Sequence, residues 1–245
     1  MAHVTYQPVD EPKAVAPDVW IVDSGPLRVA GMMPIPVRMT VIRLPDGELL
    51  LHSPTQFSFE LMRRLEPIGP VCHLVAPNTV HWSYVREWQS HCPSAVTWGA
   101  PGLGERQAVV DAGVRIDQVL HDGAAPEWQE AIDTVVVRGR GIVEAALFHR
   151  PSRTLVLTDL VVNVEPAKLP LAVGLGARLV GAAAPGGRAP VYARAAFMAG
   201  GERARAAAGK LVELDPERVI FAHGRWFEAD GAARLRRSLG WLLPG

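Results

Sequence analysis

The sequence lacks several features, and each absence excludes a class of protein. Its only two cysteines, Cys72 and Cys92, could form at most one bridge, which excludes a disulfide scaffold and favours a reducing compartment. They also lack the C-x-x-C spacing of a thiolate metal site. The 25 basic and 25 acidic residues cancel, so the chain has no overall attraction to nucleic acid or to an anionic membrane. No run of about 18 apolar residues is present, so no transmembrane helix is predicted. The N-terminus carries acids where a signal peptide needs a basic start and an apolar run, which predicts a cytoplasmic protein.

The apolar content, by contrast, is sufficient for one large core. Apolar residues make up 49% of the 245 residues, and single domains of this length are common. We predict a polar, proline-rich arm along the surface over residues 1–18, followed by one domain over residues 19–245. The 23 glycines and 21 prolines indicate many tight connections rather than a helical bundle.

The first half of the chain alternates between strand and helix patterns. Two runs rich in β-branched residues, Met39–Leu44 and Glu48–Leu51, flank Pro45-Asp46-Gly47, which favours a tight turn and predicts a hairpin. Apolar periodicity predicts the elements that follow: a helix over Phe57–Leu65, a strand over Val71–Ala76, a helix over His81–His91 and a strand over Ala95–Trp98. This order indicates an α/β sandwich.

The second half repeats the alternation without repeating the residues. Strands are predicted over Ile132–Arg138, Glu144–Phe148, Arg153–Thr158 and Arg218–Ala222, and a terminal amphipathic helix carries Leu235, Leu239 and Leu242. Residues 167–209 are rich in alanine, glycine and arginine, with Pro185-Gly186-Gly187 in their middle. We expect helical segments around this break, which would form either a lid or an outer layer.

Three polar residues stand where predicted strands end. His81 follows the strand over Val71–Ala76, Asp159 follows Arg153–Thr158, and His223 follows Arg218–Ala222. Strand ends of a layered α/β protein share one rim, so these side chains are expected to meet in a crevice. Taken singly, each has an ordinary interpretation as a cap or turn residue, but two histidines and one carboxylate together form a ligand set for zinc or iron.

The order and spacing of these residues resemble the metallo-β-lactamase superfamily, and within it an uncharacterised branch known as a domain of unknown function. The stretches that carry this resemblance are Arg38-Met39-Thr40-Val41, Leu51-His52-Ser53-Pro54, Ala76-Pro77-Asn78 with His81, and Phe148-His149-Arg150-Pro151-Ser152-Arg153-Thr154-Leu155 before Asp159. The resemblance implies a four-layer αββα sandwich with a metal site on one edge. It covers roughly residues 18–243.

The resemblance also implies which ligand positions are lost. The superfamily motif H-x-H-x-D-H, placed on this chain, puts its last histidine on His81 and leaves Ala76, Asn78 and Val80 at the other positions. A further family histidine falls near Gly141, where none stands. The bridging aspartate corresponds to Asp159 and the final histidine to His223. A site for one metal ion, expected to be zinc with iron as the alternative, therefore remains on His81, Asp159 and His223.

Five further residues are weighed for a role near the site. Glu144 is a candidate replacement ligand or general base, although a solvated carboxylate at a strand start is an equal interpretation. Asn78 could donate a hydrogen bond to a substrate oxygen. His52 could assist from the crevice, where Ser53 would need a base to act as a nucleophile. His149 lies five residues from Glu144 on one strand, hence on the opposite face, and is expected to face solvent.

Together these features predict a metal-dependent hydrolase-like protein that acts on a small molecule. Its substrate would be an ester, lactone, thioester or phosphoester, with Asp159, Glu144 and Asn78 as candidate catalytic residues. The absent ligands motivate a competing hypothesis, a non-catalytic pseudoenzyme that binds a small molecule or a protein partner. An iron site handling redox chemistry is a third interpretation. Neither a nucleic acid nor a membrane is expected as a partner.

Overall fold

Two β-sheets form the centre of the molecule. The computed structural model describes residues 4–29, 33–128 and 130–243. The first sheet contains, in order, β1 (Lys13–Ala16), β2 (Val19–Val29), β3 (Met33–Arg43), β4 (Leu49–His52), β5 (Val71–Ala76), β6 (Val96–Gly99) and β7 (Gln118–Val119). The second contains β8 (Gly123–Ala124), β9 (Ile132–Arg138), β10 (Val143–His149), β11 (Thr154–Val156) and β12 (Arg218–Ile220), paired in the order β12-β11-β10-β9-β8.

Seven α-helices of the described residues cover the sheets. They are α1 (Phe59–Leu65), α2 (Val85–His91), α3 (Gln107–Asp111), α4 (Leu171–Leu179), α5 (Val191–Met198), α6 (Gly201–Glu213) and α7 (Gly231–Leu239). Short 3-10 helices span Pro126–Trp128 and Pro166–Lys168. Residues 167–209 are thus helical on both sides of a break, as predicted. No helix within the described ranges combines the length and apolar composition that a membrane span requires.

Three apolar clusters define the layers. Because successive strand residues point to opposite faces, Leu50 of β4 packs between the sheets against β9 and β10, whereas Leu49 and Leu51 pack outward against α1 and α2. On the far side, Val137 and Ala146 of the second sheet pack against α5, α6 and α7. The layers therefore run helix, sheet, sheet, helix, which is the αββα arrangement expected from the sequence.

The predicted hairpin is present, and the deviations from prediction lie at element ends. β3 and β4 pair in antiparallel register from Thr40 opposite His52 to Arg43 opposite Leu49. The helix predicted over His81–His91 begins only at Val85, and the strands predicted to reach Thr158 and Ala222 end at Val156 and Ile220. In each case the candidate site residue lies outside the regular element, in the irregular chain beside it.

The N-terminal segment is more integrated than a surface arm. Residues 1–3 of the predicted arm lie outside the described residues. Lys13–Ala16 forms strand β1, which pairs with β2 at the edge of the first sheet. Val4 is buried in a small cluster with Val162 and Val164, so the segment also packs against the second half of the chain.

Candidate metal centre

His81 lies in a turn that the side chain of Asn78 organises. β5 ends at Ala76, and Asn78 Oδ1 accepts hydrogen bonds from the backbone N–H groups of Val80 and His81, each at 2.8 Å. An asparagine that bonds the backbone two and three residues onward favours a turn over a helix, which explains why α2 starts late. His81 is consequently held in the turn at the sheet edge rather than within the helix.

Asp159 lies in a bend that the buried carboxylate of Glu144 holds. Glu144 is 0% exposed, and its carboxylate accepts the N–H groups of Thr158 at 2.8 Å, Asp159 at 2.7 Å and Leu160 at 3.1 Å. One anion therefore satisfies three consecutive backbone donors just beyond β11. This arrangement orients the bend and points the side chain of Asp159 toward His81.

His223 is fixed from the first sheet, although it follows a strand of the second. Its Nδ1 lies 2.8 Å from the carbonyl oxygen of Pro36. The buried guanidinium of Arg38 donates from Nη1 to the carbonyls of Phe221 at 3.0 Å and Gly224 at 2.8 Å, and its Nη2 pairs with Asp23 at 2.6 Å. Only glycine fits at position 224, because a Cβ there would lie 2.1 Å from a backbone oxygen and φ is +93°.

The three side chains converge. His81 Nε2 lies 3.3 Å from His223 Nε2 and 3.3 Å from Asp159 Oδ2, and His223 Nε2 lies 3.6 Å from Asp159 Oδ1. The three residues together form a group that could hold a metal ion. The convergence predicted from the strand ends is therefore present, whereas the binding of an ion stays a prediction.

The donor geometry fits a metal ion such as zinc. Two ligands of a tetrahedral zinc ion, bonded at about 2.0–2.1 Å, lie about 3.3–3.4 Å apart. The far nitrogen of each ring is engaged elsewhere, because His223 Nδ1 donates to Pro36 and His81 Nδ1 lies 2.7 Å from Ser53 Oγ. Such outer contacts leave the near nitrogens free to coordinate and are the usual surroundings of metal-binding histidines.

The three side chains of the cluster shift one another's pKa values. Burial alone would raise the pKa of Asp159, but His81, His223 and the Asn78 amide together hold this pKa below its ordinary value. Burial lowers the pKa of His81, yet the Asp159 carboxylate outweighs this and raises it. Burial and the neighbouring His81 lower the pKa of His223. The carboxylate is therefore ionised and His223 is neutral near pH 7, as ligands must be.

Asn78 connects two of the three candidate ligands. Its Nδ2 donates to Asp159 Oδ2 at 2.7 Å and to Thr158 Oγ1 at 2.9 Å, while its Oδ1 holds the His81 turn. Both amide hydrogens and the amide oxygen thus bond within the protein. These contacts fit a positioning role for Asn78, and the predicted donation to a substrate remains a prediction.

The cluster opens into a cavity of about 580 Å³. His81, Asp159 and His223 line it together with Ser53, and most of the other described lining residues are aliphatic. Helices α4 and α5 contribute one wall through residues such as Val173 and Ala193. The segment predicted as a lid or outer layer therefore forms part of the cavity wall.

Comparison with known proteins identifies the family and the fold. The family model described as "Domain of unknown function (DUF4336)" matches residues 18–184. The chain belongs to the DUF4336 family. No curated protein matches it.

Solved structures similar to this DUF4336 protein are metallo-β-lactamases. One from Pontibacter korlensis has a TM-score of 0.61 at 12% identity, covering 95% of this chain and 98% of that chain. One from Hirschia baltica has a TM-score of 0.61 at 12% identity, covering 96% and 98%. One from Erythrobacter litoralis has a TM-score of 0.62 at 14% identity, covering 94% and 95%. At these identities the likeness shows the fold, and it confirms the predicted metallo-β-lactamase-like sandwich.

Three helper residues differ from their sequence-based interpretations in this DUF4336 protein. Glu144 is not a solvated carboxylate, since it is fully buried, and it does not belong to the three-residue cluster. His149 does not face solvent: it is 2% exposed and lies 2.7 Å from Ser152 Oγ, because the turn after β10 folds back over it. His52 is buried and is not among the described cavity-lining residues, because it points between the sheets while Ser53 points to the cavity.

Two contributors went unrecognised in the sequence. Ser53 was considered only as a nucleophile, and its contact with His81 joins loops 28 residues apart, which no local pattern shows. Arg38 stands in an apolar strand, and a charged residue there is a signal of a buried partner, which proves to be Asp23 together with the His223 loop. Both residues lie next to the cluster without belonging to it.

Proposed function

We propose that this protein is a hydrolase that uses a single metal ion, expected to be zinc, held by His81, Asp159 and His223. The observation that supports the proposal is the convergence of the three side chains at the wall of an open cavity. The two Nε2 atoms lie 3.3 Å apart, and the two oxygens of Asp159 lie 3.3 Å from His81 Nε2 and 3.6 Å from His223 Nε2. Three protein ligands that leave a position for water are typical of catalytic zinc sites.

In this proposal the metal ion and Asp159 have separate roles in the reaction. A bound divalent ion would lower the pKa of water and polarise the substrate oxygen. Asp159, ionised because its pKa is lowered, accepts the proton of the attacking water. The oxygen of that water joins the carbonyl carbon, the bond from this carbon to the leaving oxygen or sulfur breaks, and the proton passes from Asp159 to the leaving atom.

The remaining residues position the reacting groups. Asn78 holds the Asp159 carboxylate and the His81 turn, and Glu144 holds the bend that carries Asp159. Burial and the nearby Asp159 carboxylate raise the pKa of Glu144, while the N–H groups of Thr158 and Asp159 oppose this rise. Ser53 orients the ring of His81 through its Nδ1. We assign these three residues a positioning role.

Metal content and thermal stability test the proposal. The purified full-length chain is expected to hold about one metal ion per molecule, and added zinc is expected to raise its Tm. The His81→Ala/His223→Ala variant should lose both properties. The wild type, but not this variant, should hydrolyse an aryl ester or thioester probe.

The outcomes separate the competing hypotheses. A wild-type protein without metal, whose Tm does not respond to zinc, would contradict the proposed function and favour a non-catalytic binding protein. Elemental analysis that finds iron rather than zinc would keep the ligand set and change the metal. A metal-loaded protein inactive on every acyl and phosphoryl probe would reduce the proposal to metal binding.

A further inference from the structure

The cavity beside the cluster is strongly apolar. Its volume of about 580 Å³ lies within the range of about 300–1,000 Å³ that is usual for small-molecule sites. Val162, Val164, Leu169 and Ala182 form an apolar cluster separate from the layers of the sandwich, and all four line the cavity. An apolar surface that faces an open volume gains stability only when a ligand removes it from water.

None of the described residues that line the cavity is lysine or arginine. The nearest buried guanidinium, that of Arg38, does not line the cavity, and its Nη atoms are directed to Phe221, Gly224 and Asp23. Away from the candidate metal ligands, a phosphoryl or carboxylate group on the ligand would lose its hydration without meeting a positive side chain.

Apart from the candidate ligands His81, Asp159 and His223, the polar side chains of the described lining are neutral. They belong to Ser53, Thr55, Thr79, Ser83, Tyr84 and Tyr192. The lining thus offers hydrogen bonds and a metal site for one small polar group, and aliphatic surface for the remainder of the ligand. This division matches a molecule with one polar function on an apolar chain.

We infer that the ligand of this cavity is an uncharged carboxylic ester or thioester with an apolar acyl chain. The inference rests on the proposed function for the reaction, although not for the binding of the chain. Hydrolysis would add the oxygen of water to the acyl carbon, break its bond to oxygen or sulfur, and release a carboxylic acid and an alcohol or thiol that takes up the second proton of water. Among the substrate classes open from the sequence, the lining therefore favours carboxylic esters and thioesters over phosphoesters.

Binding to the metal-free protein tests the inference without relying on activity. The probes are primary amides from butanamide to decanamide, which are uncharged and mimic the ester carbonyl. Each added methylene buried in the cavity is expected to tighten binding about fourfold, since its burial contributes about 0.8 kcal/mol. Decyl phosphate, which has the same chain length as decanamide, should bind at least tenfold more weakly than decanamide.

A matched pair of variants tests where the alkyl chain of the probe binds. Ala177 of α4 lines the cavity, whereas Ala206 of α6 is exposed and does not. Ala177→Phe should weaken decanamide binding at least tenfold and butanamide binding little. Ala206→Phe, the same change in a helix remote from the cavity, should leave both affinities unchanged.

The results that would overturn the inference differ from those that would overturn the function. An acyl-chain site is excluded if the wild-type affinity for the amides does not depend on their chain length, or if decyl phosphate binds more tightly than decanamide. This conclusion holds whether or not Ala177→Phe folds. Decanamide binding by a protein that never takes up metal would refute the hydrolase and keep the ligand class. Equal hydrolysis of butyryl and decanoyl thioesters by the metal-loaded protein would refute the ligand class and keep the hydrolase.

Discussion

The two sets of metal-ligand positions implied by the family resemblance have opposite fates in this structure. His81, Asp159 and His223 converge beside an open cavity. Ala76, in contrast, is fully buried in the cluster between the first sheet and its helices, and Asn78 bonds through both its amide hydrogens and its oxygen. One set is available to a ligand, whereas Ala76 and Asn78 of the other set have become part of the scaffold.

The contrast indicates that the described residues retain one candidate metal site. Within the part of the chain that the structure describes, the His81, Asp159 and His223 group is the one set of three potential ligands close enough to share an ion. Asn78 occupies a position where the family resemblance implies a ligand, yet it acts on the remaining ligands from outside. We therefore expect substitutions of the candidate ligands to have strong effects, and substitutions of residues such as Asn78 that only position them to have smaller, graded effects.

Loss of a candidate ligand should have the largest effect. His223→Ala is expected to weaken zinc binding by more than about 100-fold, because removal of an outer contact alone costs about 10- to 100-fold. Competition with a chelating dye measures the affinity. His121→Ala removes an exposed histidine outside the cluster and serves as the control. Equal zinc affinity of the two variants would show that His223 is not a ligand.

Loss of the Asn78 amide should have the next largest effect on zinc binding. Asn78→Ala is expected to weaken zinc binding about 10- to 100-fold, because the Asp159 carboxylate and the His81 turn lose a shared partner. The same titration measures it. Val80→Ala, at a neighbouring position that is 58% exposed, should change the free energy of unfolding by less than about 0.5 kcal/mol and leave zinc binding intact. An Asn78→Ala protein with wild-type affinity would remove the proposed positioning role.

Glu144 tests how strongly the bend that carries Asp159 depends on its buried anion. Glu144→Gln should lower the free energy of unfolding by about 2–3 kcal/mol, because an amide nitrogen, which cannot accept a hydrogen bond, replaces one of the two oxygens that accept from the three N–H groups. Urea denaturation of the metal-free proteins measures this. Glu105→Gln, at an exposed position, is the matched control. A difference below about 0.5 kcal/mol between the two variants would contradict the structural role.

Two substitutions of Ser53 separate the contribution of its hydroxyl group to zinc binding from the contribution of its backbone conformation to stability. Its φ is +53°, a left-handed conformation that costs a side-chain-bearing residue about 1–2 kcal/mol and glycine nothing. Ser53→Ala and Ser53→Gly should both weaken zinc binding about tenfold, because each removes the contact with His81 Nδ1. Ser53→Gly should nevertheless be about 1 kcal/mol more stable than Ser53→Ala in urea denaturation. Zinc affinities that differ between the two would mean that the hydroxyl is not the relevant group.

The smallest effect is expected at His52, the buried neighbour of Ser53. Burial, with His81 adding to it, lowers the pKa of His52 to about 3. Below the ordinary pKa of about 6.5 the unfolded chain binds a proton at this residue that the folded protein excludes, so stability falls as pH falls. Between pH 8 and pH 6.0 the wild type should lose about 0.8 kcal/mol more than His52→Gln. Parallel stability curves for the two proteins would show that His52 titrates normally when folded.

The accuracy of the sequence-based expectations followed the range of the interactions involved. The hairpin around Pro45-Asp46-Gly47 and the strand over Val71–Ala76 were predicted correctly, since turn chemistry and apolar alternation act between near neighbours. The start of α2 was placed four residues early, because the Asn78 side chain competes for the backbone of the first predicted turn. The burial of Glu144 was missed because its donors come from residues 158–160.

Local sequence patterns were sufficient to establish the layered α/β architecture and the position of three ligand-type residues directly after strands. Those features depend on local periodicity and on the rule that strand ends share a rim. Only the tertiary structure decided that His81, Asp159 and His223 meet within 3.3–3.6 Å, that Ser53, Pro36 and Asn78 orient them, and that an aliphatic cavity adjoins them. The reason is physical: each of these contacts joins chain segments that are far apart in sequence, and their distances are set by how two sheets and their helices pack.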